Sequence, residues 1–204
     1  MAKLYFRYGT VSSAKTLNLL AVAHNYKVQS KNIILIKPKL DDRFGVDLIK
    51  SRAGLSSKAD LVLEVGDSVD AIVNLDIYQD VSCVLVDEAQ FLTVGQIEQL
   101  RELATTKQVP VICYGLRTDF KTKLFPASKR LMELADSIEE VKTTCHYCNR
   151  KAILNLKHSN GRAICHGESI DLGTEDKYFS SCYTCFREKI AEAEGSINVI
   201  FEKE

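Results

Sequence analysis

Two Cys-x-x-Cys elements, Cys145-His146-Tyr147-Cys148 and Cys182-Tyr183-Thr184-Cys185, lie downstream of Gly9-Thr10-Val11-Ser12-Ser13-Ala14-Lys15-Thr16 and of an acidic strand end, Val84-Leu85-Val86-Asp87-Glu88. Each group meets a distinct chemical demand. Four thiolates in two knuckles can close a tetrahedral zinc site, and with every position taken by sulfur the metal's role is structural. Residues 149–181, between the knuckles, leave room for an inserted hairpin and loop. A Gly-led turn ending in Lys-Thr, after a strand and opening a helix, can cradle phosphates. Backbone N–H groups then point at the oxygens, Lys15 reaches the β and γ groups, and the Thr16 hydroxyl ligates magnesium. Asp87 can hold the same magnesium from its strand end, while Glu88 can accept the proton of an attacking hydroxyl. The combination predicts phosphoryl transfer from a nucleoside triphosphate, with a zinc-stiffened accessory unit.

Each group also has a plainer reading. Acids at strand ends are often caps, and Lys-Thr after a glycine can open an ordinary strand–turn–helix. His146 and His166 are read as solvated or locally bonded rather than as zinc ligands. At Ala14 the phosphate-cradle pattern has glycine; if the position needs φ > 0, the Cβ costs about 1–2 kcal/mol.

These groups need a scaffold, and 204 residues can supply one domain or two small ones. Basic and acidic residues balance at 27 each, which gives no polyanion-binding field and argues against a nucleic acid partner. No apolar stretch nears the roughly 20 residues of a membrane span. The N-terminus lacks the order of a signal peptide, so a cytoplasmic location without a membrane partner is expected. Seven cysteines suit reduced thiols better than a disulfide framework. Cys83 and Cys113, in apolar runs, are predicted to be buried strand residues, and Cys165 is left unassigned.

Strands are predicted over 4–8, 32–36 (stopped by Lys37-Pro38), 61–65, 83–86 and 109–114, and helices over 15–29, 68–75 and 93–107. Such alternation predicts an α/β fold, a P-loop-type mostly parallel sheet with helices on both faces. Ligands then sit beyond the C-terminal strand ends, where Gly9, Asp87 and Gly115 fall. After Cys145 the texture changes to a hairpin of 152–156 and 162–165 around Asn160-Gly161, a loop over 167–177 and a helix over 186–194. This unit is too poor in apolar residues to fold well alone, and zinc supplies on the order of 10 kcal/mol or more. The expected organisation is a nucleotide-binding domain over 1–140, a zinc-knuckle and lasso domain over 141–192, and a tail over 193–204.

In this order the residues resemble the zinc-containing thymidine kinases of type II. Residues 4–16, Asp41-Asp42-Arg43-Phe44-Gly45, Val-Leu-Val-Asp-Glu-Ala-Gln-Phe-Leu at 84–92 and residues 113–125, with their Tyr-Gly-Leu-Arg-Thr-Asp-Phe core, carry the match. The knuckles and Asp176-Lys177-Tyr178 complete it, over roughly residues 1–190. The resemblance implies that ATP phosphorylates the 5′-hydroxyl of thymidine or deoxyuridine for DNA precursor salvage. Carried over by position, Glu88 is the general base. The ATP–magnesium site comprises Gly9, Thr10, Val11, Ser12, Ser13, Ala14, Lys15, Thr16, Asp41, Arg43, Asp87 and Gln90. Phe120 stacks on the pyrimidine, and Leu116 and Phe125 wall the pocket. Ser169, Ile170, Asp171, Leu172 and Gly173 form a lasso whose backbone hydrogen-bonds the base, and Tyr178 closes over it. Zinc sits on Cys145, Cys148, Cys182 and Cys185, and the assembly is commonly a homo-tetramer.

This chain differs from the family pattern at Ala14, at Val11, where methionine is usual, and at Thr174, which replaces a lasso glycine. A nucleotide-binding protein of the same fold that has lost turnover and senses or sequesters deoxynucleosides is the second reading, and Ala14 is what speaks for it. A zinc-ribbon NTPase acting on nucleic acid is the third, opposed by the balanced charge.

Overall fold

A computed structural model describes residues 1–69, 80–159, 161–164, 166–167 and 177–195. Its main element is a six-stranded sheet built from β1 (Leu4–Tyr8), β2 (Asn32–Pro38), β5 (Leu61–Leu63), β6 (Val81–Val86), β7 (Val111–Gly115) and β8 (Ser137–Glu140), in the order β5-β2-β6-β7-β1-β8. Every neighbouring pair in it is parallel. Side chains alternate across such a sheet, so an apolar run with no polar alternation must be covered twice. Ile34, Ile36, Val84, Val86, Val111 and Cys113 face one layer; Leu35, Cys83, Leu85, Ile112 and Tyr114 face the other. Helix α1 (Lys15–Val28) covers the second set with Leu19, Leu20 and Ala23. Helices α2 (Val94–Thr106) and α3 (Pro126–Leu134) cover the first with Ile97, Leu100, Leu103 and Leu131. A capping box starts α2: Gln96 N–H donates to the Thr93 hydroxyl, and Thr93 N–H donates to the Gln96 side chain.

Cys83 and Cys113 are buried in strands, as expected. The expected stop at Lys37-Pro38 is corrected. Strand β2 continues through both residues, and Pro38 pairs with Leu63 of the edge strand. A proline at a strand's last residue removes no ladder bond the sheet needs. The strand expected over 61–65 closes at Leu63, and that expected over 109–114 begins only at Val111, after Pro110. The helix expected over 68–75 falls largely outside the described residues. A hairpin of β3 (Leu48–Lys50) and β4 (Ser56–Lys58) is additional, as are β8 and α3.

Beyond β8 lies a three-stranded antiparallel sheet of β10 (Arg162–Ala163), β9 (Leu154–Ser159) and β11 (Tyr178–Ser181), in that order. Ser159 pairs with Arg162 in a hairpin whose strands run over 154–159 and 162–163 instead of the expected 152–156 and 162–165, with Gly161 at φ +77°. Helix α4 (Tyr183–Ala193) starts earlier than the expected residue 186, because the Cys182 sulfur caps it by accepting from Cys185 N–H. Among the described residues no helix is long and apolar enough to cross a membrane.

Candidate active site

The loop between β1 and α1 is shaped by a glycine and by two residues in the left-handed region. A Cβ on Gly9 would lie 2.3 Å from the Ser13 Oγ and 2.6 Å from the Val141 carbonyl oxygen, so only glycine fits. Ser12 sits at φ +58° and Ala14 at φ +64°. The condition set for a Cβ cost at Ala14 is therefore met. No side chain caps α1 at Ala14, leaving first-turn N–H groups directed at the loop, an arrangement that favours anions. Lys15 is buried here, and its Nζ donates to the Thr10 carbonyl at 2.7 Å and to Ser13 Oγ at 3.4 Å. Burial lowers its pKa, with Glu88 and Asp87 pulling the other way.

Asp87 and Glu88 follow the last residue of β6, at the sheet's C-terminal edge, with β7 between β6 and β1. The Thr16 hydroxyl donates to both Asp87 oxygens, at 3.2 and 3.3 Å. Burial, with Glu88 and Asp41 alongside, pushes the Asp87 carboxyl up to about 7. Burial pulls Glu88 upward too, but the Arg43 guanidinium, Lys15 and a Gln90 hydrogen bond prevail and hold it below the ordinary glutamate range. Arg43 bridges the acids, donating to Glu88 Oε1 at 2.6 Å and to Asp41 Oδ1 at 2.5 Å. Gln90 donates to Glu88 Oε2 at 2.5 Å, while its own oxygen accepts from Leu116 N–H at 2.9 Å. Gly115 makes room for it, since a Cβ there would stand 2.7 Å from the Gln90 oxygen.

These groups open on one cavity of about 280 Å³, which runs from Val11–Thr16, Asp41, Arg43, Asp87, Glu88 and Gln90 to Leu116, Phe120, Phe125 and Tyr178. One end is thus charged and the other apolar and aromatic. Phe125 meets Phe91 edge-on at 6.0 Å, and Phe120 lies 6.5 Å from Tyr178. Gly9 and Thr10 back the loop instead of lining this cavity. The lasso segment, Ser169 to Gly173, and Thr174 lie outside the described residues. Sequence reasoning missed Lys37, Arg52 and Asn155. Lys37 is fully buried under the acid loop, donating to the Gly45 and Leu48 carbonyls at 3.1 and 3.0 Å and standing 3.7 Å from Asp41. Arg52, from the β3–β4 turn, donates to Ser12 Oγ at 2.5 Å. A lysine inside an otherwise apolar strand run was the available signal for Lys37.

The four knuckle sulfurs all lie within 4.8 Å of one another, with Cys148 and Cys182 at 3.7 Å. Bonds of about 2.3 Å in a tetrahedron put sulfurs roughly 3.8 Å apart, so the group fits zinc. Tyr147 N–H donates to the Cys145 sulfur at 3.4 Å and Cys185 N–H to that of Cys182 at 3.5 Å, as suits thiolates. No disulfide forms among the described cysteines. His146 is occupied by stacking on Phe179 at 4.0 Å.

A family model described as thymidine kinase matches residues 2–186. A thymidine kinase of Pasteurella multocida is 43% identical over 192 residues, 94% of this chain and 100% of that one. One from Chromobacterium violaceum is 42% identical, covering 91% of this chain and 98% of its own. Among solved structures, a Pif1 helicase from Candida albicans reaches a TM-score of 0.39 at 10% identity, over 69% of this chain and 36% of that one, too low to argue from.

Proposed function

This chain belongs to the thymidine kinase family, enzymes that phosphorylate thymidine, and from that premise we propose how its residues carry the transfer from ATP. The observation that carries the reading is Glu88: buried, held between Arg43 and Gln90, and on the wall of a cavity that also exposes Lys15, Thr16 and Phe120. The pyrimidine lies against Phe120, Phe125 and Leu116, with Tyr178 closing over it and the backbone of Ser169–Gly173 reading the base edge. Deoxyuridine, which lacks only the methyl group, is accepted too. The triphosphate lies along Val11–Thr16, with its γ group between Lys15 and Arg43.

Glu88 takes the proton of the 5′-hydroxyl as that oxygen bonds to the γ-phosphorus and the bridge to the β-phosphate breaks, releasing ADP. A carboxylate kept ionised by Arg43 is available for this across neutral pH. Thr16, Asp87 and Asp41 suit magnesium, since they are hard oxygen donors, and burial first, then Glu88 and Asp41, disfavour charge on Asp87 in a way that a cation would relieve. When bound, the ion neutralises charge on the phosphate oxygens. Zinc on the four cysteines has no open position and stays structural. The 1–140 and 141–192 division and a tetrameric assembly belong to the same reading.

Ala14 at positive φ favours the weakened-binder reading; the convergence of Lys15, Thr16, Asp87 and Glu88 on one cavity opposes it. Transfer of labelled γ-phosphate from ATP to thymidine, with DNA-stimulated ATP hydrolysis run alongside, separates the three readings. Label on thymidine is expected, and ATP hydrolysis responding only to DNA would reject the kinase.

A further inference from the structure

Two polar side chains of the small sheet reach across to the phosphate loop and hold the backbone N–H and C=O of one residue, Val11, and so the two peptide units that flank it. Asn155 Oδ1 accepts the Val11 N–H at 2.8 Å, and the Ser180 hydroxyl donates to the Val11 carbonyl at 2.7 Å. The two are direct cross-strand partners on β9 and β11, and both are buried, at 3% and 6% exposure. Polar groups buried at a strand's inner face are costly unless bonded, so their presence there is explained by the loop they grip. The clamp on Val11 falls next to Ser12 and three residues before Ala14, the strained positions of the loop. Such conformations persist where surrounding structure over-determines them.

The clamp is anchored in the metal unit. His146 N–H, beside the ligand Cys145, donates to the Ser180 carbonyl at 2.8 Å. On its other side, Asn155 Nδ2 donates to the Thr118 carbonyl at 2.9 Å, two residues before Phe120. We infer that Asn155 and Ser180 are positioning residues, through which the zinc unit sets the phosphate loop and, via Asn155 alone, ties it to the nucleoside wall. The inference rests on reading residues 9–16 as the triphosphate cradle.

The test measures KM for ATP, KM for thymidine and kcat on the zinc-loaded full chain, with zinc content and melting temperature for each variant. Ser180→Ala should raise the ATP KM roughly 3- to 10-fold, the scale of one lost hydrogen bond, with thymidine KM unchanged. Ser180→Thr, which keeps the hydroxyl, should restore it. Asn155→Ala should raise both constants, and combining it with Ser180→Ala should cost less than the product of the single effects, because both act on the backbone of one residue, Val11. An unchanged ATP KM in zinc-replete Ser180→Ala overturns the inference. So does a Ser180→Ala protein that simply loses zinc or its fold, which would make the hydroxyl architectural. If the parent shows no saturable ATP dependence, or Lys15→Ala leaves that dependence untouched, the cradle assignment fails instead of the clamp.

Discussion

Leu85 of β6 and Cys182 of the second knuckle are both buried, at 0% and 5% exposure, for different physical reasons. Leu85 sits between neighbouring strands and under α1, in a layer that also contains Leu35, Ile112 and Tyr114. Its burial is hydrophobic and needs no ligand. Cys182 belongs to a cluster whose buried members are the cysteines themselves, with Tyr147 packed against them. With Ala152, Leu154 and Leu156 the only other buried apolar side chains among this unit's described residues, the proposed zinc on the four sulfurs would supply the missing stabilisation. Asp87 and Glu88, the acids of the proposed mechanism, stand on the first unit. Tyr178 and the side chains that hold Val11 stand on the unit that carries the four-sulfur cluster. On the proposed reading, chemistry and its alignment draw on separate sources of stability.

Changing Glu88 to Gln strikes only the first unit, and it should have the largest effect. The amide keeps the shape but takes no proton, so turnover should fall about 10²–10⁴-fold, with zinc content and ATP affinity near the parent's. A rate within threefold of the parent would remove Glu88 from the mechanism. Zinc chelation, or Cys148→Ser or Cys185→Ser, strikes only the second. Activity should drop on the order of 10²-fold as the cavity wall loses alignment, while circular dichroism retains the signal of the six-stranded unit. Collapse of both units together, or no zinc per chain in protein purified without chelator, would break the distinction drawn above.

A smaller effect concerns Asp87. Its carboxyl, pushed up to about 7 by burial and the neighbouring acids, holds a proton below that pH and must release it to bind a cation. Magnesium affinity should therefore rise as pH is raised, by about tenfold between about pH 6 and pH 8. Calorimetry in buffers of different ionisation enthalpy would report the released proton; affinity flat across this range would show that Asp87 does not hold the ion. The smallest effect is expected from Ala14→Gly. Relief of about 1–2 kcal/mol at φ +64°, less about 0.5–1 for the freedom of an unfolded glycine, leaves a modest gain. A melting temperature higher by roughly 1–4 °C is expected, and a fall would show that the left-handed conformation is not what Ala14 costs the protein.

The sheet interior was legible because β2, β6 and β7 are covered on both faces and so read as unbroken apolar runs. Helix α2 was legible through the helical spacing of Ile97, Leu100 and Leu103, and the Cys-x-x-Cys spacing pointed to the four sulfurs that the fold brings together. Strands β3, β4, β8 and β11 were not legible. Sequences such as Ser-Ile-Glu-Glu and Tyr-Phe-Ser-Ser lack an extended apolar run, and they become strands through pairing with partners distant along the chain. Lys37 escaped notice because a lysine is expected at the surface; three oxygen contacts from the loop folded over it let it stay buried.

Residue types and spacing alone determined the chemistry on offer: a lysine and threonine for phosphates, two adjacent acids, four thiols. These motifs are contiguous, and local backbone geometry is enough to make them recognisable. Which acid stays ionised was left to the tertiary structure, because Arg43 reaches Glu88 across 45 positions of sequence and its field, not the local chain, sets the charge. The support of the phosphate loop was left to it as well. Val11 is gripped by residues 144 and 169 positions away, a contact that no periodicity encodes and that exists only once two sheets have been folded against each other.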